Sequence, residues 1–466
     1  MYDAIVIGGG PAGYVAAVRL ASYGFKVALV ERRYLGGECT NWGCIPSKAL
    51  IEIAHGLSIA KQLRRVGINI GISEVNRSKI LEWIKRVVLR SREGIKYLVS
   101  DVDLYEGEAS LKSRNEVIVR RREGREVIEG KNIIIATGTE PSEIPGVRFD
   151  GKYVLSNRDF FELKEIPSSV LIVGGGIIGV ELGSALARLG TEVYIVEILD
   201  RIISMYDPDV SSIIMKYLKR FGVKVYLRST VKRVEVSDGV VRARIVSRDG
   251  ESMDVNVEKV LIAVGRKYNT KGIGLENVGV KTHERGYIIV DERQKTNVGN
   301  IYAAGDVTGP PLLAHKAYRE AIIAADVIAG AEEVPPKEPI PEVIYTTPEV
   351  GVAGITELKA KEAKINVQIV KYPYAAVPRD YTVLERTPEG FIKLIVEGST
   401  KRIIGGVIVG NMASELIHVL ALAIQKRLTL KDLSEVIYAH PTYSEMIGEV
   451  AHLGLGKPIH IKGQHT

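Results

Sequence analysis

Cysteine is nearly absent: the 466 residues include two, Cys39 and Cys44. So small a supply leaves no framework of structural bridges, and a bridge across so short a loop would restrict the unfolded chain by only about 2 kcal/mol. Keeping the sole pair this close together points to chemistry rather than to a staple. Long apolar runs are missing as well. The most hydrophobic stretch, residues 169–190, carries Glu181, Arg188 and the break Gly174-Gly175-Gly176, which excludes a membrane span and predicts a strand, a turn and a helix. Charge of one sign never accumulates: the net charge of +7 comes from 63 basic and 56 acidic residues interleaved along the chain, so no nucleic-acid or membrane partner is expected. The one dense basic run, Arg120-Arg121-Arg122-Glu123-Gly124-Arg125, reads as a solvated turn between alternating strands. Also missing is a basic leader ahead of the first apolar segment, Tyr2 to Ile7; no secretion signal is visible, and a cytoplasmic location is expected.

What is present is a fingerprint that occurs twice. Val6-Ile7-Gly8-Gly9-Gly10-Pro11-Ala12-Gly13 is matched by Ile172-Val173-Gly174-Gly175-Gly176-Ile177-Ile178-Gly179, and at the same offset Gly24 corresponds to Gly190 and Glu31 to Glu197. Each copy runs from an apolar strand through G-x-G-x-x-G into a helix and then to a second strand ending in an acid, a complete dinucleotide-binding βαβ unit. Gly8, Gly10 and Gly13 in the first copy, and Gly174, Gly176 and Gly179 in the second, let backbone approach a pyrophosphate at a helix N-terminus; Glu31 and Glu197 would accept from ribose hydroxyls. Because a 2′-phosphate would add negative charge beside Glu197, repulsion of about 1 to 4 kcal/mol favours NAD over NADP at the second copy.

Between and beyond the fingerprints, residues 49–98 have mostly helical spacing and residues 102–136 read as a strand meander ending at Ala136-Thr137-Gly138. Val260 to Arg266 closes the second unit. The run Asn300 to Asp306 reads as a returning buried strand that stops at an acid, and Pro335, Pro336, Pro339 and Pro341 mark the clearest linker. A chain of 51 kDa is expected to divide into several cores. The division read from these signals is α/β: a first Rossmann-like domain over 1–146, a second over 147–270, a return to the first over 271–334, and a C-terminal α+β domain over 335–466 whose apolar helix faces suit a subunit contact.

In combination, Gly36-Gly37-x-Cys39 to Cys44-Ile45-Pro46-Ser47-Lys48, Ala136-Thr137-Gly138, the second fingerprint with Glu181, Ala304-Gly305-Asp306, Ala314-His315-Lys316-Ala317 and His440-Pro441-Thr442-x-Ser444-Glu445 resemble the flavin-dependent pyridine nucleotide-disulfide oxidoreductases, in family order and over nearly the whole chain. The resemblance implies FAD at the first fingerprint, with Glu31 at its ribose, Gly138 beside it and Asp306 at its ribitol, and NAD at the second. It implies a redox disulfide of Cys39 and Cys44, with Cys39 exchanging with substrate and Cys44 on the flavin side, and a Lys48–Glu181 ion pair near the flavin. It also implies a homodimer in which His440 and Glu445 serve the partner's cysteines, and a cis peptide before Pro441. The implied partner is a lipoyl-bearing protein or a small disulfide, with no metal; a non-turnover flavoprotein sensor is the alternative of a different class. Thr442 to Glu445 also fits a capping box. Glu38, Thr40 and Trp42 depart from the commonest residues of the family's cysteine loop, and Ala376 to Asp380 from a usually more polar segment.

Overall fold

Tyr2–Ile7, apolar and buried over its last four residues, can satisfy its backbone only between other strands, and it pairs in parallel with Val27–Glu31 on one side and the end of Gly124–Ile135 on the other. The computed structural model describes residues 1–72 and 74–462. Asp103–Glu106 extends this sheet at one edge. At the other, the early half of Gly124–Ile135 pairs antiparallel with Glu116–Arg121, which pairs with Glu108–Leu111. Arg121 faces Gly124 across the basic hairpin. The late half receives Ile301–Ala303 in parallel, with Ile301 opposite Ile133, so the chain leaves this domain and comes back to complete it.

The excursion is a second parallel sheet of five strands in the order 224–226, 192–196, 169–173, 259–262 and 154–155. A three-stranded meander over 229–257 lies against it. The two crossings between the domains, Thr139–Pro141 and Arg266–Tyr268, pair antiparallel with each other. From Glu342 onward the sheet is antiparallel, in the order 342–344, 350–354, 403–409, 391–397 and 367–373, and the helices Ala413–Gln425 and Glu445–Gly454 bury Leu416, Ile417, Leu420, Met446 and Ile447 against it. This is the expected fold class: two Rossmann-like domains and an α+β third. Among the described residues no helix is long and apolar enough to cross a membrane.

Helical spacing over 49–98 does not mean one helix. Helix Cys44–Gln62 ends in a 3₁₀ turn, Gly67 turns the chain left-handed at φ +86°, and helix Arg77–Leu98 starts afresh with the Asn76 carboxamide oxygen accepting from Lys79 N–H at 3.0 Å.

All three parts meet at Arg188, whose side chain is 3% exposed. Its Nη2 donates to both oxygens of Glu385 at 2.9 and 2.8 Å and its Nε to Ser58 Oγ at 3.0 Å; Nη1 reaches Thr347, and His55 Nδ1 lies 2.7 Å from Glu385. The bond to Glu385 raises the His55 pKa against its burial. Burial opposes the Glu385 charge, but His55 and Arg188 outweigh it and hold that carboxyl below its ordinary range. The histidine's share of stability is therefore complete below its unfolded value near 6.5 and fades as pH rises through the higher folded value, whereas the carboxylate's share is lost only in acid. His55→Gln should flatten the fall in thermal midpoint on raising the pH above about 6.5. Arg188→Met, which leaves Glu385 to His55 alone, should lower the midpoint by several degrees, a loss of roughly 3 kcal/mol. An unchanged midpoint in calorimetry would contradict this account of the junction.

Candidate functional site

Local sequence builds the two turns in the same way. Gly8 and Gly174 sit at φ +104° and +111°, each with a Cβ position 2.4 Å from a carbonyl oxygen, of Ala136 and Ala263 respectively. A Cβ on Gly13 would lie 1.6 Å from Gly8 O and one on Gly179 2.0 Å from Gly174 O, so only glycine lets each helix lie this close to its strand. The terminal acids clamp the turns: Gly9 N–H donates to Glu31 Oε2 at 2.7 Å and Gly175 N–H to Glu197 Oε2 at 2.6 Å, while Arg33 and Leu199 N–H donate to the other oxygens at 2.7 and 2.8 Å.

The middle glycines differ. Gly176 has an ordinary φ of −76° and no protein atom within 4 Å of its Cβ position; at Gly10, φ −72°, the nearest atom is Gly37 Cα at 3.8 Å. Nothing in the protein demands glycine there. Both line one cavity of about 1060 Å³ that also reaches Glu197, Asp306, Lys48, Glu181 and both cysteines. A neighbouring cavity of about 720 Å³ shares Gly37, Thr139 and Arg266 with it and runs past Gly8 and Glu31. Side chains are kept out of the space in front of both turns, so the residues present fit a dinucleotide at each.

Cys39 and Cys44 are joined by a disulfide with a Cα separation of 4.7 Å. Cys39 lies in the short helix Gly37–Trp42, packed on the first fingerprint so closely that a Cβ on Gly37 would meet Gly10 Cα at 2.7 Å. Cys44 opens helix Cys44–Gln62, where the dipole favours a thiolate once the bridge is reduced. One turn on, Lys48 Nζ is 2.8 Å from Glu181 Oε2; Glu181 is buried, and its Oε1 accepts from Tyr345 N–H at 2.8 Å.

The unusual loop residues tie this region to the second domain. Glu38 pairs with Arg158 and with Arg266 Nη2 at 2.9 Å, Trp42 Nε1 donates to Glu162 at 3.1 Å, and Asn157 Nδ2 donates to Trp42 O at 2.9 Å. Arg266 Nε donates to Thr139 Oγ1 at 2.6 Å, and that hydroxyl donates to Asp306 Oδ2 at 2.8 Å. Sequence reading left Arg158, Arg266, Thr139 and Tyr345 unassigned. Glu320, which the sequence marks only as part of a departure from the family pattern at Ala317 to Glu320, is buried with Lys316 and accepts from Gly305 N–H at 2.8 Å, holding the turn before Asp306.

His440 and Glu445 stand apart: the cavity holding the sulfurs includes neither. The peptide before Pro441 is cis. His440 Nδ1 is 2.8 Å from Glu445 Oε1, and the imidazole is 67% exposed. Partial burial opposes the Glu445 charge, yet the bonds from His440 and from Thr442 N–H at 2.7 Å prevail and keep its carboxyl below the usual range. As an acceptor it fixes the proton on Nδ1 and leaves Nε2 free. The capping box is only half formed: Glu445 takes Thr442 N–H, but the Thr442 hydroxyl donates to Ala439 O at 2.7 Å instead of closing the box.

A disulfide on the wall of a cavity that both glycine turns share, on paired Rossmann-like domains, defines a nucleotide-dependent disulfide oxidoreductase. Sequence comparison agrees: the model of the pyridine nucleotide-disulphide oxidoreductases matches residues 2–321 and that of their dimerisation domain residues 340–451. The chain belongs to this family. It is 39% identical over 462 residues to the dihydrolipoyl dehydrogenase of Geobacillus stearothermophilus and 41% over 463 to that of Bacillus subtilis, covering 98% of this chain and 97% of each relative. Among solved structures, LpdA from Mycobacterium tuberculosis superposes with a TM-score of 0.88 at 27% identity, over 96% of this chain and 99% of that one. The HOCl-induced flavoprotein disulfide reductase RclA from Escherichia coli does so at 0.85 and 30%, over 97% and 100%.

Proposed function

We propose that this chain is an FAD-dependent dihydrolipoyl dehydrogenase, oxidising a dihydrolipoyl group and reducing NAD, and that it works as a cytoplasmic homodimer. The observation that carries the reading is the Cys39–Cys44 disulfide facing the cavity that both fingerprints share. The near full-length likeness to dihydrolipoyl dehydrogenases supports the substrate class, and the dimerisation-domain match supports the dimer, as does the position of His440 outside its own chain's sulfur cavity.

Gly8, Gly10, Gly13, Glu31, Gly138 and Asp306 hold FAD in this reading, and Gly174, Gly176, Gly179 and Glu197 hold NAD. A thiol is mostly protonated at neutral pH, with a pKa of about 8.5, so a base must ionise it. The partner's His440 does so through Nε2, its imidazolium stabilised by Glu445. The substrate thiolate attacks Cys39 Sγ; the Cys39–Cys44 bond breaks and Cys44 leaves as a thiolate at its helix N-terminus. The second substrate thiol then displaces Cys39 and closes the oxidised product, its proton passing by way of the imidazole to Cys39, which leaves as a thiol. When bound, FAD supplies the two-electron relay from the dithiol to NAD. Lys48, held by Glu181, places a positive charge on the cavity wall beside that relay.

The test is direct: titrate the yellow protein with dihydrolipoamide, look for a long-wavelength thiolate-to-flavin band, then add NAD and follow NADH. A flavin-bearing protein that gives neither would be a sensor rather than an enzyme. Glu197→Ser, by removing the charge that repels a 2′-phosphate, should raise the NADP-to-NAD ratio of kcat/KM by about tenfold. An unchanged ratio would move the discrimination elsewhere.

A further inference from the structure

We propose that Tyr345 is a positioning residue through which the C-terminal domain sets the place of the Lys48 charge, and so the ease with which the bound flavin is reduced; this rests on the FAD reading above. Tyr345 lies between strands Glu342–Ile344 and Val350–Gly354, at the edge of the C-terminal sheet, 164 positions from Glu181. It does two things at once. Its backbone N–H occupies Glu181 Oε1 at 2.8 Å, which leaves Oε2 turned to Lys48, and its ring lies under the Lys48 ammonium with Nζ 4.5 Å from the ring centroid. Lys48 is thus gripped from two sides by groups that are not interchangeable: a carboxylate that takes one N–H, and a π face that attracts the charge itself.

Lys48 and Glu181 line the cavity that contains the sulfurs and Tyr345 is not among its lining residues, so the ring acts on the cavity through the pair. Lys48 follows Cys44 by one helical turn, so any displacement of the ammonium moves a full charge along the face that presents the flavin-side sulfur. A cation kept beside the flavin stabilises its anionic reduced form. The Lys48 side chain is 35% exposed, so without the aromatic face the ammonium swings about its bond to Glu181 towards water. The reduced flavin then loses part of its stabilisation. Burial raises the Tyr345 phenol pKa further, so the ring is uncharged throughout the working range and acts by its quadrupole alone. The same domain carries His440, so one element of structure orients both the substrate base and the charge at the electron acceptor.

The test uses the full-length holoprotein and reads the ratio of reduced to oxidised bound FAD in equilibrium with a reference dye. Tyr345→Leu should lower that ratio about threefold to tenfold, the scale of a partly buried cation–π contact, and Tyr345→Phe should stay within about twofold of the parent. In a Lys48→Met background Tyr345→Leu should have no further effect. Should the leucine variant fail to fold, phenylalanine and pentafluorophenylalanine at 345, which match in shape and oppose in quadrupole, replace it; the fluorinated ring should give the lower ratio. Equal ratios for the phenylalanine and leucine variants, or for the two phenylalanines, would overturn the proposal, as would a shift caused by loss of the hydroxyl alone. A purified parent with no flavin would instead overturn the reading of the cofactor.

Discussion

Cys44→Ser should stop dihydrolipoamide oxidation, by at least roughly a thousandfold, and leave no long-wavelength band under any reducing condition, while FAD stays bound. A serine hydroxyl is not ionised at neutral pH and cannot re-form the bridge, so neither the leaving thiolate nor the donor to the flavin exists. The fold should survive, because the bridge closes a loop with a sequence separation of only 5 and contributes about 2 kcal/mol. The companion variant makes the assignment sharp. Cys39→Ser is also inactive in turnover, but it leaves Cys44 as a free thiolate at its helix N-terminus, so the band should be present at rest, before any dithiol is added. Finding the band in Cys44→Ser, or only there, would reverse the roles of the two sulfurs.

His440→Gln should reduce kcat for dihydrolipoamide by about a hundredfold to ten-thousandfold at pH 7, the usual range for a lost general base. The deficit should narrow as the pH approaches the thiol pKa near 8.5, where the substrate supplies its own thiolate. Glu445→Gln should cost less, because it removes the acceptor that orients the imidazole but leaves the imidazole. Location makes a second test available. Neither the His440→Gln nor the Cys44→Ser subunit is active alone. If base and sulfurs come from different chains, a mixed dimer contains one site with an intact cysteine pair from one chain and an intact His440 from the other. Co-expression with separate affinity tags, followed by isolation of the mixed dimer, should restore about half the parental sites on that arrangement. A mixed dimer as dead as its parents would place the base and the sulfurs within one chain.

The parts that were legible in the sequence are those whose cause is local. The glycines of each turn announce themselves because strand, turn and helix are consecutive, and the need for a missing Cβ at Gly13 or Gly179 arises within a few residues of its cause. Only family resemblance could link Lys48 to Glu181, since the contact spans 133 positions. Tyr345 and the Glu38–Arg158–Arg266 cluster had no sequence signal: a tyrosine near a strand end and arginines on a helix and strand are ordinary residues until packing brings them to the cysteine loop. The half-formed capping box errs for a local reason instead: the helix begins at Glu445 with Ser444 at its N-cap, so Thr442 stands ahead of the cap and its hydroxyl donates back to Ala439 O, three residues earlier.

By itself the sequence determined the two glycine turns between strand and helix and the closely spaced cysteine pair, because hydrophobic period, glycine and spacing act over a few residues. Tertiary structure alone decided that the Tyr345 ring meets Lys48, how Glu38 joins the second domain and which groups gather at Arg188. Those outcomes depend on how three cores pack against one another, and an ion pair or a cation–π contact exists only once distant segments have lost their water and come within a few ångströms.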